Sequence, residues 1–340
     1  MSTHATGTPS PWRLCIAPMM QKTDRHFRYL ARLLSPHARL YTEMVTTGAL
    51  LHGPRDRLLA YDATEQPLAI QLGGSEPEAL ATCARLASER GYVEVNLNCG
   101  CPSERVQSGA FGACLMREPA LVGACIEAMR DAVPASVEVT VKHRLGVDEL
   151  YDYGYFRDFV ARLAEHGCRV FHVHARKAWL QGLSPRENRE IPPLEYTWVH
   201  RLKRELPGLV IVINGGITTP LAARTHLDAV DGVMIGRRAY EAPASLAAFD
   251  ASLFGAPASG PDELAVVARY MAYAAAESAR GTPTRVLTRH LVNLFQGRPG
   301  ARRWRRHLSE HGNGDAATVI AGALRCMDAA HTAVMETPAA

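Results

Sequence analysis

Eight short runs of β-prone apolar residues punctuate the chain as far as residue 235: Leu14–Ala17, Arg39–Met44, Leu68–Leu72, Val93–Leu97, Val137–Val141, Val170–Val173, Leu209–Ile213 and Gly232–Ile235. Several are apolar on both faces, as strands are when helices cover both sides of a parallel sheet. Between most of them the spacing turns helical. Phe27, Leu30, Ala31 and Leu34 keep the i, i+3, i+4, i+7 interval, and Phe156, Phe159, Val160 and Leu163 form a second stripe ended by Gly167. Ser75 and Glu78 stand at capping-box spacing ahead of Leu80, Cys83, Ala84 and Ala87, which predicts a helix start there. Eight strand–helix alternations over about 240 residues match the size of a (β/α)8 barrel, whereas a doubly wound open sheet normally needs fewer strands.

Past Phe254 no further strand run occurs. Glu263–Ser278 is Ala-rich and helical in pattern, as are Arg285–Phe295 and Ala317–Ala330. The expected fold is therefore α/β: a (β/α)8 TIM barrel over 12–252, a Gly/Ala/Pro/Ser linker at 253–262, and a small all-α C-terminal domain over 263–334. Disordered ends are expected at 1–11 and 335–340.

Composition narrows the class without naming a chemistry. Hydrophobic residues at 47% and charged residues at 21% sustain a packed core and exclude wholesale disorder. No window approaches the roughly 18 uninterrupted apolar residues of a membrane helix, and the first residues lack the regions of a signal peptide. Eight cysteines without an export signal point to reduced thiols and a cytoplasmic protein. The net charge of +4, from 38 basic and 34 acidic residues, says little about partners.

In a barrel of this kind the C-terminal ends of the strands carry the active site. Here they read Pro18-Met19-Met20, Glu43, Gln71, Asn96 through Pro102, Lys142-His143-Arg144, His172 and His174, Asn214-Gly215-Gly216, and Gly236-Arg237. Glycines after strands seven and eight, followed by Arg237, suit a phosphate, because their backbone N–H groups approach an anion closely and the guanidinium adds a charge-assisted donor. A lone Gly-Gly would merely end a strand. Lys142 at such an end holds negative charge, forms a Schiff base, or makes a salt bridge across the barrel top, for instance to Glu43. His172 and His174 share one side of their strand, yet no third ligand follows in a matching pattern, so no metal site is expected. Cys99 and Cys101 are spaced C-x-C with no second pair nearby, which argues against zinc. Cys101, before Pro102 in a loop, is either an inert thiol or an exposed acid.

Taken together, these segments resemble the tRNA-dihydrouridine synthase family, flavoproteins that reduce uridine in tRNA. The most specific run is Asn96-Leu97-Asn98-Cys99-Gly100-Cys101-Pro102-Ser103, with Val106-Gln107 and Gly109 after it. Within the family the chain is most similar to the A subfamily, through Leu40–Ala49, His174–Leu180 and Ser184–Leu194. The resemblance implies FMN at the barrel mouth, with Pro18, Met19, Met20, Gln71, Lys142 and His174 around its ring system. Asn214, Gly215, Gly216, Gly236 and Arg237 would hold the ribityl and phosphate. It implies Cys101 as proton donor, Asn98 as a contact to the target nucleotide, and Arg186, Arg189, Arg302 and Arg305 as tRNA contacts. Two positions depart from the pattern: Gln21 follows Met20 where Asp is usual, and His143 replaces a small polar residue.

The implied reaction saturates the C5–C6 bond of a D-loop uridine, at positions 20 and 20a for the A subfamily. Reduced FMN gives hydride to C6, Cys101 gives a proton to C5, and NADPH (NADH is the other candidate) re-reduces the flavin. A base taken out of its stack needs compensating contacts to the rest of the RNA. Eight arginines (280, 285, 289, 298, 302, 303, 305, 306) and no acid lie between Ser278 and Ser309, with Trp304 among them to pack or stack. The expected partners are tRNA and NADPH, with no membrane or DNA, in a monomer. Two alternatives stand beside this reading. One is a small-molecule dihydroorotate or dihydropyrimidine dehydrogenase, which needs no Arg-rich domain; the other is a tRNA-binding protein without catalysis.

Overall fold

The computed structural model describes residues 10–107, 109–255 and 261–335. Positions 1–9, 256–260 and 336–340, where most of the expected termini and linker fall, lie outside the described residues. Eight parallel strands close into a barrel in chain order: β1 Leu14–Ile16, β2 Arg39–Thr46, β3 Leu68–Gly73, β4 Glu94–Cys99, β5 Glu138–Arg144, β6 Val170–His174, β7 Val210–Asn214 and β8 Gly232–Ile235. Closure is made by β8 against β1, with Cys15 opposite Met234. All eight expected strands are present in the (β/α)8 arrangement. Most run further toward the C-terminal end than their apolar stretches. Asn98 pairs with Lys142, Cys99 with His143 and Arg144 with His174, so the ladder carries polar residues up to the rim.

The described residues form two compact units. One comprises the chain to Thr23 and then Ala38–Gly236; the other comprises Asp24–His37 and the chain from Arg237 onward. In the first unit the helices bury the stripes that predicted them. Phe156, Phe159, Val160 and Leu163 are all buried on helix Tyr153–Glu165, whose N-cap Asp152 accepts from the Tyr155 amide. The helix after β3 corrects the capping-box expectation at Ser75. It starts at Pro77, with Glu76 at the N-cap and no side-chain cap, because proline at the first turn brings a fixed φ and no N–H to satisfy.

The second unit is helical. Helix Arg25–Leu34 is capped by Asp24 and tied to helix Glu263–Ala279 through the Arg25–Glu277 ion pair and a 2.8 Å bond between His26 Nδ1 and the Tyr273 hydroxyl. Of the helix expected at Arg285–Phe295, Thr284–Thr288 alone is α-helical, and turns follow. The Leu287 and Leu291 carbonyls accept from the Tyr270 hydroxyl and Trp304 Nε1, both at 2.8 Å, which take the place of helical donors while the leucines stay buried. Trp304 therefore packs and does not stack on a ligand: it is wholly buried and edge-on to Phe295 at 4.9 Å. The arginine-rich run is also less unpaired than its sequence suggests. Arg280 meets Glu277, Arg289 meets Asp24, and Arg298 meets Glu263. On helix Ala301–Glu310, which buries Ala301, Trp304 and Leu308, the residues Arg302, Arg303 and Arg306 are exposed and Arg305 half-buried.

Candidate active site at the barrel mouth

Strand register places the candidate groups at matching heights. Gln71 stands opposite Asn96, Asn98 opposite Lys142, and His174 opposite Asn214. Because side chains alternate along a strand, Lys142 and His143 point to opposite sides. His143 accordingly packs with Phe156, Phe159 and Phe171, its Nδ1 lies 2.7 Å from the Arg144 carbonyl, and burial pulls it down to about 4. This departure from the family pattern faces the helix layer.

Lys142 Nζ lies 3.2 Å from Asn214 Oδ1, and the Asn214 amide donates to the Met234 carbonyl at 2.7 Å. The bridge to Glu43 is not the arrangement found: Glu43 accepts from the Gln21 amide, where φ is 61°. Burial, with repulsion from Arg144 added, pulls the Lys142 ammonium down to about 7. His174 is held well below the ordinary imidazole range, first by burial and then by Arg144, Lys142, Arg176 and Arg189. The mouth thus carries a concentrated positive field. His172, weighed above with His174, sits deeper and is bound to Glu94 and Tyr41 at 3.2 and 2.9 Å.

Cys101 occupies the loop after β4. Its amide and that of Gly100 both donate to Asn98 Oδ1 at 3.0 Å, its carbonyl accepts from the Ala113 amide at 2.9 Å, and its Sγ lies 3.5 Å from Ser103 Oγ. The thiol is half-buried and close enough to act electrostatically on both Lys142 and Arg144. Arg144, read at the strand-end rim but given no role there, proves central to the geometry. Buried and itself pulled down to about 10 by desolvation, it donates from Nε to the Gly100 carbonyl at 3.0 Å, and from Nη1 to the Lys177 and Asn188 carbonyls at 2.9 and 2.8 Å. Gln107 makes a second tie, donating to the Pro102 and Leu180 carbonyls. One guanidinium and one amide so fasten the Cys101 loop to the loop after β6.

That second loop is folded around Asn188, whose buried amide bonds the Trp179 backbone on both sides and the Leu183 carbonyl. With Asn188 turned inward, Arg186 and Arg189 are left exposed beside it. Gly215 and Gly216 have φ of 116° and 68°, and a Cβ on either would strike Leu194 together with His174 or Tyr196. At Gly236 a Cβ would meet nothing nearer than Ala17 at 3.7 Å and Met19 at 3.8 Å, so the protein's own packing does not demand glycine there. Pro18 and Met19 are half-buried, Met20 is exposed, and Arg237 opens the short helix with which the chain re-enters the second unit. Arg302 and Arg305 lie in that second unit. Among the described residues no cluster of three or more His, Cys, Asp or Glu is placed to hold a metal, and no helix is long and apolar enough to cross a membrane.

A family model for dihydrouridine synthases matches residues 15–330. The chain is 53% identical over 327 residues to tRNA-dihydrouridine(20/20a) synthase of Yersinia pestis, covering 95% of this chain and 94% of that protein. It is 55% identical over 307 residues to the protein of that name from Shewanella oneidensis, with 90% and 91% covered. With the one from Escherichia coli K12 it shares 54% over 300 residues, with 88% and 86% covered.

Proposed function

The chain belongs to the dihydrouridine synthase family, and from that premise we infer that it is an oxidoreductase reducing uridine to 5,6-dihydrouridine in the D-loop of tRNA, at the positions 20 and 20a that its relatives' name states. The cofactor is FMN. The observation that carries this assignment is the sign and shape of the mouth: the positive charges of Arg144, Arg176 and Arg189 acting on Lys142 and His174, next to the left-handed Gly215-Gly216 pair and the roomy Gly236. Backbone N–H groups freed of side chains suit a phosphate, and Lys142 suits negative charge on a flat ring. Pro18, Met19, Met20, Gln71, Lys142 and His174 surround the ring; Asn214, Gly215, Gly216 and Gly236, with Arg237 next in the chain, hold the ribityl phosphate.

When bound and reduced, with NADPH as reductant, FMN supplies the hydride that saturates C6 of the uracil. The protein supplies the rest. Cys101 donates the proton required at C5, from a loop whose backbone is fixed on both sides. Asn98 contacts the base, and the charge on Lys142 stabilises electron density that builds up nearby. Arg186 and Arg189 on the β6 loop, and Arg302 and Arg305 on the C-terminal helices, neutralise tRNA phosphates. The 263–334 helices act as the tRNA-binding domain of a cytoplasmic monomer.

The test is reduction of an unmodified tRNA transcript by purified protein with FMN and NADPH. Dihydrouridine mapped at positions 20 and 20a, with free uracil and orotate untouched, is expected. Turnover of free pyrimidines would select the small-molecule dehydrogenase, and tRNA binding by a colourless protein would select the catalytically silent reading.

A further inference from the structure

Beneath the mouth, an unbroken hydrogen-bond chain joins two chemically one-way ends. At the base of the barrel the Glu94 carboxylate accepts only. At the rim the amides of Gly100 and Cys101 donate only. Between them Thr140 Oγ1 donates to Glu94 Oε1 at 2.6 Å and accepts from Asn96 Nδ2 at 2.8 Å. Asn96 Oδ1 accepts from Gln71 Nε2 at 2.7 Å, and Gln71 Oε1 accepts from Asn98 Nδ2 at 2.8 Å. Asn98 Oδ1 then receives both backbone amides at 3.0 Å. Each link fixes the donor–acceptor sense of the next: turning any one amide over sets oxygen against oxygen or NH2 against NH2. Glu94, Asn96 and Thr140 are wholly buried and Gln71 nearly so, so solvent does not repair a reversed link.

We propose that Glu94, Thr140 and Asn96 are positioning residues of the active site, setting the sense of this chain so that Asn98 holds the Cys101 backbone in its working orientation. The proposal rests on the functional reading above. It also determines what the mouth offers a pyrimidine. With both lone pairs of Oδ1 taken, Asn98 has one N–H left and recognises a carbonyl oxygen. Gln71 retains one N–H and one lone pair.

The experiment is a double-variant cycle on the flavin-loaded protein. Thr140→Val keeps the shape of the side chain and removes the link to Glu94. Asn98→Asp sets an oxygen against Gln71 and forces the chain to reverse. Two readouts are taken: kcat and KM for tRNA, and the rate at which iodoacetamide alkylates Cys101, followed by peptide mass spectrometry. Thr140→Val is expected to lower kcat about tenfold and leave the KM for tRNA unchanged, as loss of alignment without loss of binding requires. It should raise Cys101 alkylation several-fold, and Thr140→Ser should restore both. The double variant should be no worse than Asn98→Asp alone, since the amides have already lost their fixed sense. Additive effects, or parental kcat and alkylation in Thr140→Val, overturn the proposal. Asn96→Asp, which opposes the Thr140 oxygen, carries the same expectations and replaces Thr140→Val if that variant does not fold. A parent protein that makes no dihydrouridine overturns the functional reading instead; alkylation needs no turnover and still decides the role of the chain.

Discussion

The two ends of the barrel interior treat buried charge in opposite ways. At the base, Glu94 is surrounded by donors: Trp12 Nε1 at 2.8 Å, Arg39 Nη1 at 2.9 Å, the Tyr41 hydroxyl at 2.8 Å and Thr140 at 2.6 Å, with His172 at 3.2 Å. Burial alone would raise its carboxyl, yet hydrogen bonds and charge from His172, Arg39 and Thr140 hold it at about 2. At the mouth, Lys142 has one amide oxygen at 3.2 Å and falls to about 7. A carboxylate compensated within the protein does structural work; a cation compensated so sparsely is suited to a negative ligand.

The largest expected effect lies at the mouth. Cys101→Ala should cut dihydrouridine formation by about a hundred- to ten-thousand-fold, the range of a lost general acid, while flavin content and flavin reduction by NADPH stay intact. A yield of dihydrouridine equal to the parent's would remove Cys101 from its role. Next in size is a pair of charge deletions with opposite signs. Glu94→Gln leaves the Arg39 guanidinium buried without its carboxylate and should cost roughly 3–5 kcal/mol in urea unfolding. Lys142→Met, in flavin-free protein at pH 6, should gain stability on the order of 1 kcal/mol, allowing for partial exposure. Equal losses in both would erase the contrast between base and mouth.

The pH dependence sharpens the same comparison. The folded Glu94 carboxyl lies below its unfolded value, so its contribution is present above about 4.5 and disappears as pH falls toward about 2. The folded Lys142 lies below its unfolded value as well, but for a base this means the unfolded chain binds the extra proton. Its penalty is therefore full below about 7 and fades as pH rises from there to about 10.5. Unfolding titrations of the two variants against the parent should show each slope vanish in its own window. The smallest effect belongs to the surface. Replacing Arg302 and Arg305 together by Ala should reduce the slope of log affinity for tRNA against log salt by roughly 1.5, without bleaching the flavin. An unchanged slope would take these arginines out of the RNA interface.

Much of this was legible in the sequence because it is periodic or local. The eight strands announced themselves by apolar runs, and the Asn96–Ser103 segment carried Asn98 at the end of β4 and Cys101 in the loop directly after it. The base of the barrel did not announce itself. Glu94 lies inside the apolar run Val93–Leu97, and its partners come from β2, β5 and β6 and from Trp12 before β1, brought to one height by closure of the barrel. A charged residue opening a strand whose alternate positions are Glu94, Asn96 and Asn98, with Arg39 opening another strand, was the available signal. The role of Arg144 was missed for a related reason: its partners are three backbone carbonyls on two loops, which no spacing encodes. Trp304 and the paired Arg280, Arg289 and Arg298 show the converse, since a charge count along the chain does not see acids that arrive from Asp24, Glu263 and Glu277.

Proton uptake on FMN binding tests the mouth most directly. At pH 8 the phosphate is already dianionic and Lys142, at about 7, is mostly neutral. Calorimetric titration of FMN into flavin-free protein, in buffers of different ionisation enthalpy, should register uptake approaching one proton in the parent and none in Lys142→Met. Binding without proton uptake in the parent, or equal uptake in both proteins, would contradict the account.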